Sequence, residues 1–444
     1  MHFPHDAAER YWDSLPFEAT AAQQKVLMDA AGDMQEHHAM ARLVQGDVGS
    51  GKTAVAFGAI YLAKEAGFQS SMMAPTEILA TQHYQNAIKV LTPLGVRCRL
   101  LTGSTKPKER REILEELSGE NCDAVFGTHA LISKDVKYYK LGLVITDEQH
   151  RFGVKQRTAL QDKGLTENAL SPHVLVMSAT PIPRSLALIL YGDLDISLIN
   201  ELPKGRKAVK TRIVPETKRE DMYGFLKQEA SKGRQAYIVC PSVEDSEASD
   251  DLRSARTVYS DLRESCLKDL RIGLTWGGQK STEKEQVLQD FMDGKYDLLV
   301  ATTVIEVGIN NPNATVMIIE NAERFGLSQL HQLRGRVGRG SEESWCFLMS
   351  EHSEKLDILC RSNDGFEISK KDLELRGPGD LLGTRQSGDG STSMFFSGDS
   401  KLVEEVSNAV KKLRNDPDQS ETLNLLNQYA AAYFADDRHI IALN

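Results

Sequence analysis

Short apolar runs alternate along the chain with longer stretches whose apolar residues recur every three or four positions. The short runs are predicted to be buried strands and the longer stretches helices, because side-chain directions repeat differently in the two structures. In the first half, strands are expected at 41–45, 70–74, 97–101, 123–127, 143–146 and 174–178, and helices at 24–34, 54–63, 77–91 and 108–117. This order is typical of a parallel sheet covered by helices on both faces.

A second alternation of the same kind follows an interruption rich in proline, glycine and charge near residues 202–207. Its strands are expected at 236–240, 272–275, 298–301, 316–319 and 345–348, and helix-forming runs follow at 400–414 and 420–434. We therefore expect an α/β protein with two parallel-sheet lobes in tandem and a small C-terminal helical or hook region. The expected divisions are a connector at 1–14, lobes at 15–203 and 204–360, and a C-terminal region at 361–444.

A glycine-rich turn lies between the first predicted strand and the helix behind it. It reads GDVGSGKT over residues 46–53 and matches GxxxxGK[ST], whose backbone N–H groups converge on phosphates at a helix N-terminus. Lys52 is expected to reach the β- and γ-phosphates, and Thr53 to ligate Mg²⁺. The predicted nucleotide-binding residues of this turn are Gly46, Asp47, Gly49, Ser50, Gly51, Lys52 and Thr53. A chance match is the alternative, and the correctly placed strand and helix disfavour it.

Two acidic residues, Asp147 and Glu148, end the apolar strand at 143–146. Phosphoryl transfer needs a carboxylate that supports Mg²⁺, here Asp147, and a neighbour that activates the attacking water, here Glu148. An exposed acidic turn is the alternative.

Gln23, upstream of the phosphate loop, is a candidate for the adenine edge, with a solvated helix residue as its alternative. Ser178 and Thr180, at the end of the next strand, are candidates for coupling nucleotide state to movement.

In the second lobe, the stretch QLRGRVGR at residues 332–339 spaces arginines with small residues. Charge that develops on a transferred phosphoryl group is stabilised by an arginine delivered across a cleft. Gln332, Arg336 and Arg339 are therefore candidate catalytic residues, whereas the alternative is a basic surface loop.

The amino-acid composition excludes few classes of protein. The chain has 444 residues, 41% hydrophobic and 26% charged, a net charge of −10 and six scattered cysteines. No apolar run is long enough for a membrane span and no signal peptide is recognisable, so a reducing, cytoplasmic location is expected. The negative net charge argues weakly against nucleic-acid binding, but local basic clusters are enough for contacts with phosphates.

Taken together, these motifs resemble those of superfamily 2 helicases and translocases, in order and in spacing. The segments that carry the resemblance are Gln23, the phosphate loop, APTE at 74–77, GTH at 127–129, DEQH at 147–150, SAT at 178–180 and QLRGRVGR at 332–339. DEQHRFGVKQR at 147–157 is similar to the branch that holds RecG and the transcription-repair coupling factor Mfd. RGPGDLLGTRQSG at 376–388 then favours RecG.

The resemblance implies two RecA-like lobes that use ATP and Mg²⁺ to move along double-stranded DNA. Its expected substrates are branched DNA, namely stalled forks that it regresses and Holliday junctions that it migrates. A single-strand DNA-binding protein is a further candidate partner, and a monomer without membrane contact is expected. The family positions implied for DNA contact or coupling are Thr128, His129, Thr302, Thr303, Arg376, Arg385 and Gln386, and those implied for nucleotide binding in the second lobe are Gly308 and Asn310.

Three departures from the family pattern bear on function. Nothing before Leu15 could form the N-terminal wedge domain of RecG proteins, which leaves open a motor fragment that binds DNA without unwinding it. TWGG at 275–278 stands where relatives have a histidine and a basic residue, so a weaker phosphate grip is expected there. Asn310 replaces an aspartate, and its amide can still bind a ribose hydroxyl. An Mfd-like translocase is the other alternative, although no polymerase-binding module is recognisable.

Overall fold

A computed structural model describes most of the two lobes and part of the C-terminal region. The described residues are 1–147, 171–178, 194–203, 207–241, 254–302, 311–340, 342–351, 353–376, 405–406, 409–410, 412–413, 416 and 419–433, without the side chains at 281, 373, 376, 420 and 431–433. Within these ranges the chain forms two parallel sheets, which confirms the predicted α/β fold with two lobes.

The first lobe is built on a sheet with the order β3-β4-β2-β5-β6-β1-β7 among the described residues, and all neighbours pair in parallel. Its strands are β1 Ala41–Gly46, β2 Gln69–Met73, β3 Cys98–Leu101, β4 Ala124–Gly127, β5 Leu141–Thr146, β6 His173–Ser178 and β7 Asp195–Ile199. Its described helices are α1 Ala7–Asp13, α2 Ala21–Gln35, α3 Lys52–Glu65, α4 Glu77–Leu91 and α5 Pro107–Ser118. Strands β1, β5 and β6 are buried almost throughout. Because β6 pairs in parallel with both β1 and β5, the carboxyl ends of these strands bring the phosphate loop and Asp147 to one edge of the sheet.

Helix α1 corrects the expected connector at residues 1–14. Ala7, Ala8 and Tyr11 are buried in the core of the first lobe, and the Tyr11 hydroxyl donates to the carbonyl of Ala54, 2.6 Å away. Gly58 makes this packing possible, because a Cβ there would lie 2.9 Å from the Tyr11 ring. The segment therefore belongs to the first lobe.

The second lobe is a sheet with the order β10-β11-β9-β12-β13-β8 among the described residues, again parallel throughout. Its strands are β8 Lys210–Val214, β9 Gln235–Val239, β10 Ile272–Thr275, β11 Leu298–Ala301, β12 Ala314–Ile319 and β13 Trp345–Met349. Its described helices are α6 Arg219–Ser231, α7 Ala255–Glu264, α8 Ser281–Met292, α9 Leu327–Arg334 and α10 Glu354–Arg361. The chain passes from one sheet to the other between β7 and β8, at the predicted interruption.

The two lobes share a detail that the sequence pattern did not reveal. In the first lobe, the Arg97 guanidinium pairs with Asp123 at the start of β4, with 2.7 Å between Nη2 and Oδ1. In the second, Arg271 pairs with Asp297 at the start of β11 over 2.6 Å, at the same sequence separation of 26 residues. Each pair ties the beginnings of two neighbouring strands together.

Beyond the second sheet, the structure describes helix α11 Gly365–Arg376 and helix α12 Ser420–Tyr433. Helix α11 packs on α9, and its Asp372 accepts hydrogen bonds from the backbone N–H groups of Leu327 and Ser328 at the start of α9. Most of the helix predicted at 400–414 lies outside the described residues, whereas α12 agrees with the helix predicted at 420–434. No described helix is long and apolar enough to cross a membrane.

Candidate functional site

The phosphate loop has the shape that its sequence predicts. It joins β1 to α3, and Gly49 and Gly51 adopt positive φ angles of 77° and 85°, which side chains disfavour. Gly51 is the N-cap of α3 and has no side chain, so the first N–H groups of the helix are not capped by one. This arrangement suits an anion.

Lys52 lies folded back on its own loop. Its Nζ donates to the backbone oxygens of Gly46 and Asp47, at 2.7 and 2.9 Å, and the side chain is buried. The nearby Ser50 hydroxyl is buried and has no hydrogen-bond partner among the described residues. A buried hydroxyl of this kind is the sort of group that a bound phosphate oxygen would satisfy.

Gln23 stabilises the phosphate loop through a hydrogen bond to its backbone. Its Nε2 donates to the carbonyl of Ser50 over 2.7 Å, while its Oε1 accepts from the N–H of Thr20 in a capping box that starts α2. A Cβ at Gly51 would lie 2.1 Å from this Nε2, so the contact requires glycine there. The alternative of a solvated Gln23 is wrong, because the side chain is buried. Adenine contact stays a prediction, and both ends of the amide are bonded to protein in this structure.

Asp147 follows β5 and is nearly buried beside a histidine of helix α4. His83 of α4 places its Nε2 2.8 Å from Asp147 Oδ2, and both side chains are close to nine-tenths buried. Because an ionised carboxylate only accepts hydrogen bonds, Nε2 is the donor. The bond fixes the orientation of the carboxylate. The alternative of an exposed turn is wrong for Asp147, whereas Glu148 lies outside the described residues.

Helix α9 brings the arginine-rich stretch of the second lobe to the phosphate loop. Gln332 and Arg336 are buried, and Arg339 donates from Nε to the carbonyl of Gly335 over 3.0 Å. A Cβ at Gly335 would lie 2.8 Å from the Cβ of Val48 in the phosphate loop, so the two lobes are in close contact. The alternative of a basic surface loop is therefore wrong.

A direct hydrogen bond also joins the lobes at this point. His331 Nε2 lies 2.6 Å from Asp47 Oδ1, and the same oxygen accepts from the N–H of Val48. Burial by itself raises the pKa of Asp47, but the hydrogen bond from His331, the N–H of Val48 and the charge of Lys52 outweigh it, so the pKa lies below its ordinary value. Asp47 is therefore an ionised acceptor at neutral pH.

The positions implied for DNA contact fall at corresponding places in the two lobes. Thr128 follows β4 and Thr302 follows β11, and both hydroxyls are buried without a hydrogen-bond partner among the described residues. His129 is exposed and Ser178 is buried at the end of β6. The implied positions that lie outside the described residues are Thr180, Thr303, Gly308, Asn310, Arg385, Gln386 and the side chain of Arg376.

The TWGG departure lies at the end of β10. Trp276 is half-buried, and the Arg256 guanidinium lies over its ring, 4.8 Å from the centroid. Positions 277 and 278 are exposed glycines. A cation therefore remains next to this turn, although it comes from α7 and already contacts the ring.

Most of the chain matches known helicase families, in agreement with the motifs in the sequence. Residues 20–189 match the DEAD/DEAH box helicase family, residues 217–341 the helicase conserved C-terminal domain, and residues 362–424 the C-terminal domain 3 of the ATP-dependent DNA helicase RecG. The RecG helicase of Synechocystis is 50% identical over 391 residues, covering 87% of this chain and 46% of that protein. The RecG helicase of Bacillus subtilis is 48% identical over 393 residues, covering 87% and 57%.

Over most of its length the chain is similar to RecG helicases. A solved structure of RecG bound to a three-way DNA junction has a TM-score of 0.76 and 44% identity, and the match covers 91% of this chain and 52% of that one. The predicted preference for RecG over Mfd is confirmed by the RecG-specific match at residues 362–424. This RecG-type chain spans about half the length of the relatives that it matches.

Three polar residues of the RecG-type chain were missed by sequence reasoning. His83 lies on the buried face of α4 with Leu79 and Ala87, and His331 lies on the buried face of α9. Asp372 is buried on α11, where it caps α9. A polar residue at a core position of an amphipathic helix was the available signal, because such residues are buried only with partners.

Proposed function

We propose that this RecG-type chain is an ATP-driven motor that moves along double-stranded DNA and acts on branched DNA. The observation that carries the proposal is the contact of the second lobe with the phosphate loop through His331 and Gly335, which belong to the same stretch as the candidate residues Gln332 and Arg336. A binding protein would not need arginines at this place, whereas stabilisation of a transferred phosphoryl group does.

In the proposed reaction, the phosphates of ATP accept hydrogen bonds from the N–H groups of the loop at 46–53. The Lys52 ammonium gives up its hydrogen bonds to the carbonyls of Gly46 and Asp47 and binds phosphate oxygens instead. Glu148 orients and deprotonates the attacking water. Arg336 and Arg339 stabilise the charge that develops on the γ-phosphate. Gly308 and Asn310 hold the ribose side of the nucleotide, and Gln23 the adenine.

The residues around the loop fit a magnesium ion. Mg²⁺ prefers oxygen ligands, and two are available here, namely the Thr53 hydroxyl of the phosphate loop and the Asp147 carboxylate at the same edge of the sheet. His83 holds one oxygen of Asp147 at 2.8 Å, as carboxylates that support metals are commonly held. When bound, the ion neutralises phosphate charge.

For the DNA side, the proposal uses the same edge of both sheets. The hydroxyls of Thr128 and Thr302, which have no hydrogen-bond partner among the described residues, are donors suited to backbone phosphates, and His129 is exposed next to one of them. Ser178 and Thr180 would couple the nucleotide site to this DNA-contacting edge. The remaining residues proposed to contact DNA are Thr303, Arg376, Arg385 and Gln386. The related RecG was solved on a three-way DNA junction, so a branched duplex is the proposed substrate, with fork regression and Holliday junction migration as the reactions. A monomer in the cytoplasm, with a single-strand DNA-binding protein as partner, completes the proposal.

The decisive experiment is steady-state ATP hydrolysis without DNA, with single strands, with plain duplex and with a three-way fork. Lys52→Ala is the background, since it removes the phosphate-binding ammonium. Strong stimulation by the fork supports the whole proposal, and equal stimulation by plain duplex supports a motor without branch preference. Normal hydrolysis by Lys52→Ala would overturn the assignment of the site. Hydrolysis that no DNA stimulates would favour a fragment that binds DNA without moving along it.

A further inference from the structure

The contact between His331 and the phosphate loop has chemistry that the proposed hydrolysis does not use. His331 bonds through both ring nitrogens, with Nε2 2.6 Å from Asp47 Oδ1 in the first lobe and Nδ1 2.8 Å from Arg334 Nη2 in the second. The side chain is only 6% exposed, so both bonds form away from bulk water. A buried imidazole is thus held between an anion and a cation.

The partners fix the proton on this ring. A guanidinium has only donors, so Arg334 can bond to Nδ1 only when that nitrogen carries no proton. The proton of the neutral ring is then on Nε2, which donates to Asp47. The hydrogen bonds therefore run in one direction, from Arg334 through His331 to the carboxylate of Asp47.

Both ends of this chain of bonds are anchored. Asp47 is part of the loop that holds Lys52, because its backbone oxygen accepts from Lys52 Nζ. At the other end, Arg334 Nη1 donates to the carbonyls of Leu359 and Ser362, at 2.7 and 2.9 Å. These carbonyls lie where α10 ends and the connection to α11 begins.

We propose that His331 is a positioning residue that sets the second lobe against the phosphate loop and links the loop to the segment leading into α11. This inference rests on the proposed function for its catalytic consequence, but not for its structural one. His331 touches the loop through Asp47, so its loss displaces Gln332, Arg336 and Arg339 from the site. Nucleotide binding by the first lobe remains.

The test compares three variants. His331→Ala removes both bonds, and His331→Gln keeps a donor and an acceptor on one side chain. His37→Ala is the matched control, since His37 is exposed in the loop before β1. For His331→Ala we expect kcat for ATP to fall about 10- to 100-fold, the effect of losing a buried hydrogen bond to a charged group. We expect the Kd for ADP to stay within about two-fold, and His331→Gln to recover most of kcat.

Small-angle X-ray scattering of the nucleotide-free protein gives a readout that does not depend on activity. His331→Ala and Asp47→Ala should each increase the radius of gyration, their double variant should add nothing further, and His331→Gln should resemble the original protein. Unchanged scattering and kcat in His331→Ala would overturn the inference. An equal loss in the Ala and Gln variants would do the same, because it would indicate a need for the ring itself. If the original chain hydrolyses no ATP, the proposed function fails, yet the scattering still tests the link.

Discussion

Replacing His83 should raise the magnesium requirement of the proposed ATP hydrolysis. His83 Nε2 donates to Asp147 Oδ2 over 2.8 Å, and the two side chains are 7% and 12% exposed. A hydrogen bond to a buried charge is worth about 1.5–3 kcal/mol. Loss of a residue that orients a metal ligand typically weakens metal binding about 10- to 100-fold. For His83→Ala we therefore expect the half-saturating free Mg²⁺ concentration to rise by that factor, with kcat largely recovered at saturation.

The assay is a titration of ATP hydrolysis with free Mg²⁺, together with the affinity of a fluorescent ADP with and without the ion. His83→Gln keeps a donor at similar reach and should behave nearly as the original protein. Gln85→Ala, at an exposed position of the same helix, controls for changes in α4. The reasoning is refuted if His83→Ala lowers kcat equally at all Mg²⁺ concentrations, or weakens ADP binding as much in the presence of a chelator. Either outcome would indicate a packing role.

Three further predictions concern stability, lobe contact and reactivity. Burial lowers the pKa of His173 to about 4, so the unfolded chain takes up a proton that the folded chain refuses. Stability should therefore fall by about 2 kcal/mol between pH 7 and pH 5, measured by denaturant unfolding, and His173→Asn should flatten this dependence. Gly335→Ala places a methyl group 2.8 Å from the facing valine of the phosphate loop and should lower kcat while ADP still binds, whereas Gly32→Ala, in open space, should leave kcat unchanged. Burial raises the pKa of Cys346 to about 12, so at pH 8 a thiol reagent should modify exposed Cys266 rapidly and Cys346 only after unfolding, as mass spectrometry of digests would show.

Much of the fold could be predicted because the central strands are continuous apolar runs. Strands β10 and β11 and helix α4 have the predicted bounds, since a charged residue precedes each strand and a proline lies just beyond each end of the helix. Strands β7 and β8 were not predicted. They lie at the outer edges of their sheets, where one side lacks a neighbouring strand, and β8 has a mixed pattern of exposed and half-buried residues. Period alone does not separate such a strand from a loop.

The site divides in the same way. The phosphate loop could be predicted because consecutive residues build it, and its glycines have the positive φ angles that the motif requires. The bonds of His83 to Asp147 and of His331 to Asp47 span 64 and 284 residues. Each depends on which strands are neighbours and on how the lobes meet. Local spacing contains no information on either, so only the burial of a polar residue on an apolar helix face could have pointed to them.

The bonds within the phosphate loop differ in what nucleotide binding would do to them. Those of Lys52 to the carbonyls of Gly46 and Asp47 occupy the ammonium, so a phosphate has to displace them. The bonds of Gln23 to the Ser50 carbonyl and of His331 to the Asp47 carboxylate use none of the N–H groups that a phosphate needs. The loop is thus held in shape from both lobes before any ligand arrives, and its ordering has already been achieved by folding. Binding energy that would otherwise order the loop is then available to shift the second lobe, which the proposed motor requires.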